Sequence, residues 1–384
     1  MKRILLILSA AALGLAGAKA DLAGDIETIL TIGGEGAGNE AASKAWQAIA
    51  DATEEAAFFE VLQAVGKNNL ADNWLLSAAS VVAEKNAPDV EALKTFLLET
   101  SNAPLAREMV LDLLRSTDGE AATKLFAQLR NDPAEPVRRV AVQFYIDEAT
   151  RSEEAGQKNV AAEQYREALQ AARDADQIKT ISAKLEEFGE KVDLPKQFGF
   201  LMRWKTIGPF DNLGRAGFDT VFPPEERVAL DATHIGKDDA EIQWKEFETA
   251  NPFGMVDFNK AYGMLKEVTA YAYTEFDSAE DQEVEIRLGC KNAWKVWVNG
   301  ELVFGRDEYH RGMRIDQYRL KANFKKGLNT ILIKCCQNEQ KERWTVEWQF
   351  QMRVTDHTGT AILATNRGPT PETDKVADLK PNEA

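Results

Sequence analysis

Cysteine and histidine are scarce. The 384 residues hold three cysteines, Cys290, Cys335 and Cys336, and three histidines, His234, His310 and His357. So few cysteines exclude a disulfide-built scaffold, and the scattered histidines show no metal-ligand spacing. Positive charge is also short: 46 Lys and Arg against 62 Asp and Glu leave a formal net charge of -16. A nucleic-acid partner needs a basic stripe, and none is visible. Anionic membrane surfaces are disfavoured for the same reason. Past the first twenty residues no apolar run is long enough to span a bilayer. There is no nucleophile elbow, no phosphate-cradling glycine loop and no Ser/His/Asp arrangement. "TIGGEGAG", from Thr31, has Gly-x-Gly spacing but follows no βαβ unit and reads as a flexible loop. The chain is expected not to be an enzyme and to carry no cofactor. A structural calcium at the acidic turn "EFDSAEDQE" is the alternative to a solvated turn there.

What is present begins with "MKRILLILSAAALGLAGAKA". Lys2 and Arg3 precede an apolar run from Ile4 to Leu15, and Ala18-Lys19-Ala20 is a small-x-small cleavage site. Residues 1–20 are therefore expected to be a secretion signal, and the mature protein to be periplasmic or extracellular with no membrane insertion. Export permits disulfides. Cys290 ends "VEIRLGC", sharing a strand face with Val284, Ile286 and Leu288, and Cys335 follows Ile331 and Ile333 in the same way. Two readings stay open: buried free thiols, or a Cys290–Cys335 bridge, which needs the two strands to be neighbours.

From Asp21 to about Gly189 the chain is rich in Ala, Leu, Glu and Lys at a spacing near 3.6, and residues 21–152 are expected to be HEAT-like helical repeats. "NNLADNWLLSAASVVAEK" from Asn68, "NAPLAREMVLDLLRST" from Asn102 and "AEPVRRVAVQFYIDEA" from Ala134 look like versions of one unit. Aligning Asn73, Arg107 and Arg138 gives steps of 34 and 31 residues, a helical-solenoid period. "NDPAEPVRRVAVQF", with Asp132, Val137-Arg138 and Ala141, resembles the HEAT repeat. Residues 153–190 then read as a TPR-like connector hairpin, with helices Ala161 to Arg173 and Gln177 to Phe188.

From residue 196 to 363 the period changes to two. Short strands fit Trp204 to Ile207, Glu241 to Phe247, Val268 to Phe276, Glu283 to Cys290, Ile315 to Leu320, Thr330 to Cys336 and Trp344 to Met352. Gly-, Asn- and Asp-rich turns separate them, so an antiparallel β-sandwich follows. The alternation places Trp344 and Trp348 in the core. Residues 364–384 are polar, contain proline and are expected to be disordered. The fold class is thus multidomain, α then β: a short HEAT/TPR-like α-solenoid and an antiparallel jelly-roll β-sandwich.

"KNAWKVWVNGELVFGRDEYHRG", Lys291 to Gly312, predicts a hairpin about Asn299-Gly300, a type I′ turn. Val298 should face Glu301, Trp297 Leu302, Val296 Val303 and Lys295 Phe304. One face carries Trp294, Val296, Val298 and Val303, the other Trp297, Leu302 and Phe304. Both are apolar, so one should fill the core and the other be covered, with the helical hairpin Ala161 to Phe188 as the nearest cover. Residues 268–336, with the "WVNG" hairpin and "LKANFKKGLNTILI", resemble the galactose-binding-like jelly roll, above all that of family 2 glycoside hydrolases. "RWKTIGPFDNLGRAGFDTVFPPE", from Arg203, resembles the opening strand of such domains in exported bacterial proteins. The resemblance implies a sugar-binding fold; the catalytic barrel of those hydrolases has no counterpart segment here.

Two functions follow. One is a non-catalytic carbohydrate-binding or adhesion module on a helical-repeat scaffold. Its candidate sugar contacts are Trp294, Asp307, Tyr309, His310 and Arg311. The other is a protein–protein interaction scaffold with the jelly roll as spacer. The partner would be a glycan in the first case and a protein in the second.

Overall fold

The computed structural model describes residues 21–376 and 379. The expected secretion signal and the last residues of the tail lie outside them. Among the described residues no helix is long and apolar enough to cross a membrane. The chain is helical first and an antiparallel sandwich second, and it divides into two units, one up to Ala141 and one from Val142 onward.

The first unit holds α1 (Leu22–Leu30), α2 (Asn39–Ala50), α3 (Glu55–Leu62), α4 (Asp72–Lys85), α5 (Val90–Leu98), α6 (Pro104–Thr117) and α7 (Gly119–Leu129); α1 packs on α2, α2 and α3 on α4, and α6 on both α5 and α7. Asp89 caps α5 through the backbone N–H of Glu91 and Ala92, and Asp118 caps α7 through that of Ala121. The segment before α5 bonds the start of α3: Asn86 Nδ2 donates to the carbonyl of Ala52, and the Asp89 N–H to Glu55 Oε1. Arg107, fully buried, donates to both oxygens of Asp132 at 2.8 and 2.5 Å and to the Leu97 carbonyl at 2.7 Å. Removing either partner would leave a buried charge uncompensated.

The helix α8 (Glu135–Glu154) runs on into the second unit, where α9 (Lys158–Ala171), α10 (Ala175–Glu187) and α11 (Leu194–Phe198) follow. Their apolar faces are not a separate connector. Tyr165, Ile178, Ile181 and Leu185 share one core with Phe198, Phe200, Met202 and Phe253, which belong to the sandwich side.

The sandwich strands are β1 (Arg203–Asp211), β2 (Thr233–Ile235), β3 (Glu241–Gln243), β4 (Lys245–Glu248), β5 (Met255–Asp257), β6 (Val268–Ser278), β7 (Gln282–Cys290), β8 (Ala293–Val298), β9 (Glu301–Arg306), β10 (Tyr318–Phe324), β11 (Gly327–Gln337) and β12 (Gln349–Thr355). Six form one sheet in the order β4-β1-β6-β11-β8-β9, and four form the facing sheet, β10-β7-β12-β5. Between them lie Trp204, Ile286, Leu288, Trp294, Val296, Ile333, Trp348 and Phe350. Cys290 and Cys335 face each other from opposite sheets rather than from neighbouring strands, with sulfurs 3.7 Å apart and both thiols free.

Several expectations need correction. The hairpin turns at Asn299 (φ 52°) and Gly300 (φ 82°), and the pairs Val298–Glu301 and Trp297–Leu302 form as read. A bulge then shifts the register, so Val296 faces Phe304 and Lys295 faces Gly305. Only glycine fits there, because a Cβ would sit 2.6 Å from Lys295 Cγ. The outer face is covered, but not by the helical hairpin. The segment between β1 and β4 folds over it, bringing Phe222, Val228, Ile242 and Trp244 against Trp297, Tyr271, Tyr273 and Leu332. Leu302 and Phe304, on the edge strand, stay about half exposed. The last strand begins at Gln349, so Trp344 lies outside it. The tail from residue 364 is not loose over its described part. Thr365 bonds Asp277, Arg367 Nη1 donates to the Phe200 carbonyl at 2.9 Å, and Thr370 donates to Asp193.

Trp348 is wholly buried beside Phe258, and its Nε1 donates to the Cys335 carbonyl at 3.1 Å. Trp348→Ala should therefore cost the sandwich about 3–5 kcal/mol in denaturant melts. A loss below about 1 kcal/mol would contradict its place in the core.

Candidate functional site

The strands β1, β9 and β11 run in the same direction, so their C-terminal ends meet at one end of the six-stranded sheet. The loops leaving them, Asn212–Arg215, Asp307–Arg311 and Asn338–Thr345, form one surface.

Trp344 is its most prominent feature. It stands on the 3-10 turn Arg343–Thr345 with 60% of its surface exposed, the only large exposed aromatic of that degree among the described residues. The turn itself is well bonded. Thr345 is buried, its hydroxyl donates to the carbonyls of Gln340 and Glu342, and its own carbonyl accepts from Lys266 Nζ at 2.8 Å and Gln337 Nε2 at 3.1 Å. An indole held out on so satisfied a loop is a preformed apolar surface.

His310 meets the Trp344 ring edge-to-face, with centroids 5.5 Å apart. It takes a left-handed backbone (φ 59°), and its Nε2 donates to Asn338 Oδ1 at 2.8 Å. That acceptor fixes Nε2 as the protonated nitrogen. Asn338 Nδ2 in turn donates to Gln340 Oε1 at 3.1 Å. Tyr309 follows on the same loop. Its hydroxyl accepts from Asn212 Nδ2 at 3.2 Å, and the Arg215 guanidinium lies 5.3 Å from its ring centroid. Burial raises the Tyr309 pKa. Arg215 is itself clamped by both oxygens of Glu339 at 3.1 and 2.6 Å, which holds that carboxylate down to about 2.

Of the five residues singled out from the sequence, Tyr309 and His310 come together at this surface. Asp307 is exposed on the same loop, close enough to Tyr309 to raise its pKa. Arg311 is exposed and engaged with Glu308, which also pairs with Arg306. Trp294 does not belong to the surface. It is 1% exposed in the core between Tyr318 and Phe304, so it offers no face to a ligand. The sequence reading missed Trp344, because its spacing from Trp348 and Phe350 happens to continue their alternation. The polar run "NEQKER" just before it was the available sign that a loop, not a strand, reaches that far. The acidic turn considered for calcium uses its groups otherwise: Asp277 accepts from Thr365, and Asp281 from the Lys326 N–H. Among the described residues no group of three or more His, Cys, Asp or Glu is placed to hold a metal ion.

No protein-family model matches the sequence, and no curated protein does. Solved structures do match in part. A β-glucosidase from Kluyveromyces marxianus in complex with glucose aligns at 12% identity over 41% of this chain, with a TM-score of 0.27. This chain covers 16% of the β-glucosidase. A family 35 carbohydrate binding module from Clostridium thermocellum aligns at 11% identity over 23% of this chain and 71% of its own, with a TM-score of 0.18. The PA14 domain of the antifreeze protein MpAFP aligns at 10% identity over 45% of this chain and 77% of its own, with a TM-score of 0.19.

Burial lowers the His310 pKa below its ordinary 6.5, against the partial support of the Asn338 bond. The folded state then binds fewer protons than the unfolded one just below that value. This group's contribution to stability is therefore present above pH 6.5 and lost as pH falls through its folded pKa. A proton NMR titration should place the His310 midpoint under 6.5. A midpoint at or above that value would mean the ring is more solvated, or nearer a negative charge, than this packing allows.

Proposed function

We propose that the sandwich is a non-catalytic carbohydrate-binding module of an exported protein, with the helical first half as a repeat scaffold that carries it. The observation that carries this reading is Trp344, an indole exposed on a well-bonded loop beside His310, Tyr309 and a chain of side-chain amides. The C–H face of a sugar ring packs on an aromatic plane, while the half-buried Gln340 amide, held by the buried Asn338, suits its hydroxyls. A non-catalytic role is supported by the way the nearby ionisable groups are occupied. Glu339 is neutralised by Arg215, and His310 bonds an amide rather than a hydroxyl or thiol nucleophile. The scaffold reading of the first half is supported by its run of short helices, in which the segment before α5 bonds the start of α3.

Glycan-array screening followed by calorimetry tests the proposal. A glycan that binds should lose at least about tenfold in affinity on Trp344→Ala, about 1.4 kcal/mol. The same change should move stability by no more than about 0.5 kcal/mol, because the ring is at the surface. Unchanged affinity in the variant, or no glycan bound at all, would reject the module.

A further inference from the structure

A cavity whose lining does not include the Trp344 surface lies between the α9–α10 hairpin and the last part of the sandwich. It holds about 540 Å³, the size of a site for a small organic molecule. Leu169, Ile178, Leu185, Val192 and Leu363 supply apolar wall, and the remaining lining is strongly charged.

The charges do not balance. Arg166, Arg173, Lys191, Lys196 and Arg353 line the cavity against two acids, Glu190 and Asp193. Arg166 is taken by Glu190, which accepts two bonds of 2.8 Å. Arg353 is taken by Asp316. Asp193 accepts from the Lys196 backbone N–H and from the Thr370 hydroxyl. Three cations, Arg173, Lys191 and Lys196, have no ion pair among the described residues. Arg173 Nη1 is buried and meets no hydrogen-bond acceptor. The acids that Arg173 senses are Asp174 and Asp356, and neither forms an ion pair with it. Asp356 is instead satisfied by the N–H groups of Thr358 and Thr360 and the Thr358 hydroxyl. A chain with a formal charge of -16 thus keeps a concave site lined by five cations and two acids, in which three cations have no ion pair among the described residues and one buried donor is unused.

We propose that this cavity binds a small organic anion. An oxyanion group, carboxylate or phosphoryl, meets Arg173 with Lys191 and Lys196 at the rim, and the apolar wall takes the carbon skeleton. Arg173 is the specifying group, since its planar fork suits a two-oxygen partner. Lys191 and Lys196 are exposed and act mainly through charge.

Calorimetry on the full chain tests this with four probes: glucuronate, glucose 6-phosphate, inorganic phosphate and glucose. At least one of the three anions should bind and glucose should not bind at this site. Affinity should fall at least about tenfold between about 50 and about 500 mM salt, because salt screens the attraction of the exposed Lys191 and Lys196 for the anion. Arg173→Gln and Lys196→Gln should each weaken binding, the first by about tenfold or more. Lys196 is at the surface, so its variant reports on charge without disturbing packing. Glucuronate binding alone identifies a carboxylate ligand, and glucose 6-phosphate or phosphate binding a phosphoryl one; either supports the site. Trp344→Ala should leave this binding unchanged, which separates it from the glycan surface. No binding by any of the three anions, or equal affinity in both charge variants, would overturn the proposal.

Discussion

The second unit is organised around one buried carboxylate. Asp316 accepts from Arg353 Nε at 2.7 Å and Nη2 at 2.5 Å, and from Arg287 Nη1 at 2.8 Å. Burial alone would raise its pKa, but the two guanidinium groups lower it. Arg353 is 1% exposed and belongs to β12, Arg287 belongs to β7, and Asp316 lies on the loop between β9 and β10. Arg353 Nη1 also donates to the Phe198 carbonyl at 3.0 Å, at the end of α11. One network therefore joins a sheet, a loop and the helical layer. It anchors the far end of the loop that carries Tyr309 and His310, and it forms part of the lining of the charged cavity. Such a cluster is a poor source of net stability but a strict one of geometry, because any missing member strands a buried charge.

The same constraint explains why the middle of each outer face of the sandwich is closed to water. The four-stranded sheet presents Gln351, Arg353 and Thr355, all buried, and they need partners rather than solvent. The six-stranded sheet presents Trp297, Tyr271 and Lys334. Lys334 is fully buried, and donates to the carbonyls of Phe218 and Thr220 and to Glu225 Oε1 at 2.7 Å. In the sequence, a lysine within "ILIKCC" marks only an outward position. Its partner Glu225 stands 109 residues earlier, so local pattern could not show that the segment after β1 closes over it.

Much of the fold was legible because it rests on local rules. The Asn299-Gly300 turn, the alternating core positions of β7 and β11 and the change of period after the helices all follow from side-chain spacing and turn chemistry. The site was half legible. Tyr309 and His310 stood out in the loop after the hairpin. Trp294 misled, since an aromatic at a strand end reads the same whether it faces the core or a ligand. Trp344 was hidden by an accidental period of two. Its exposure depends on Thr345, whose carbonyl is satisfied by Lys266 and Gln337 from other parts of the chain. Long-range hydrogen bonds of this kind leave no trace in spacing.

The most direct test of the central claim is a two-dimensional NMR spectrum of the full chain with nitrogen-labelled tryptophan, recorded as a binding glycan is added. The eight tryptophans give eight indole N–H signals, and only that of Trp344 stands on the proposed surface. The account predicts that this signal moves with glycan concentration, while those of the buried Trp204, Trp294 and Trp348 hold still. Movement confined to a different tryptophan, with Trp344 unaffected at saturation, would contradict it.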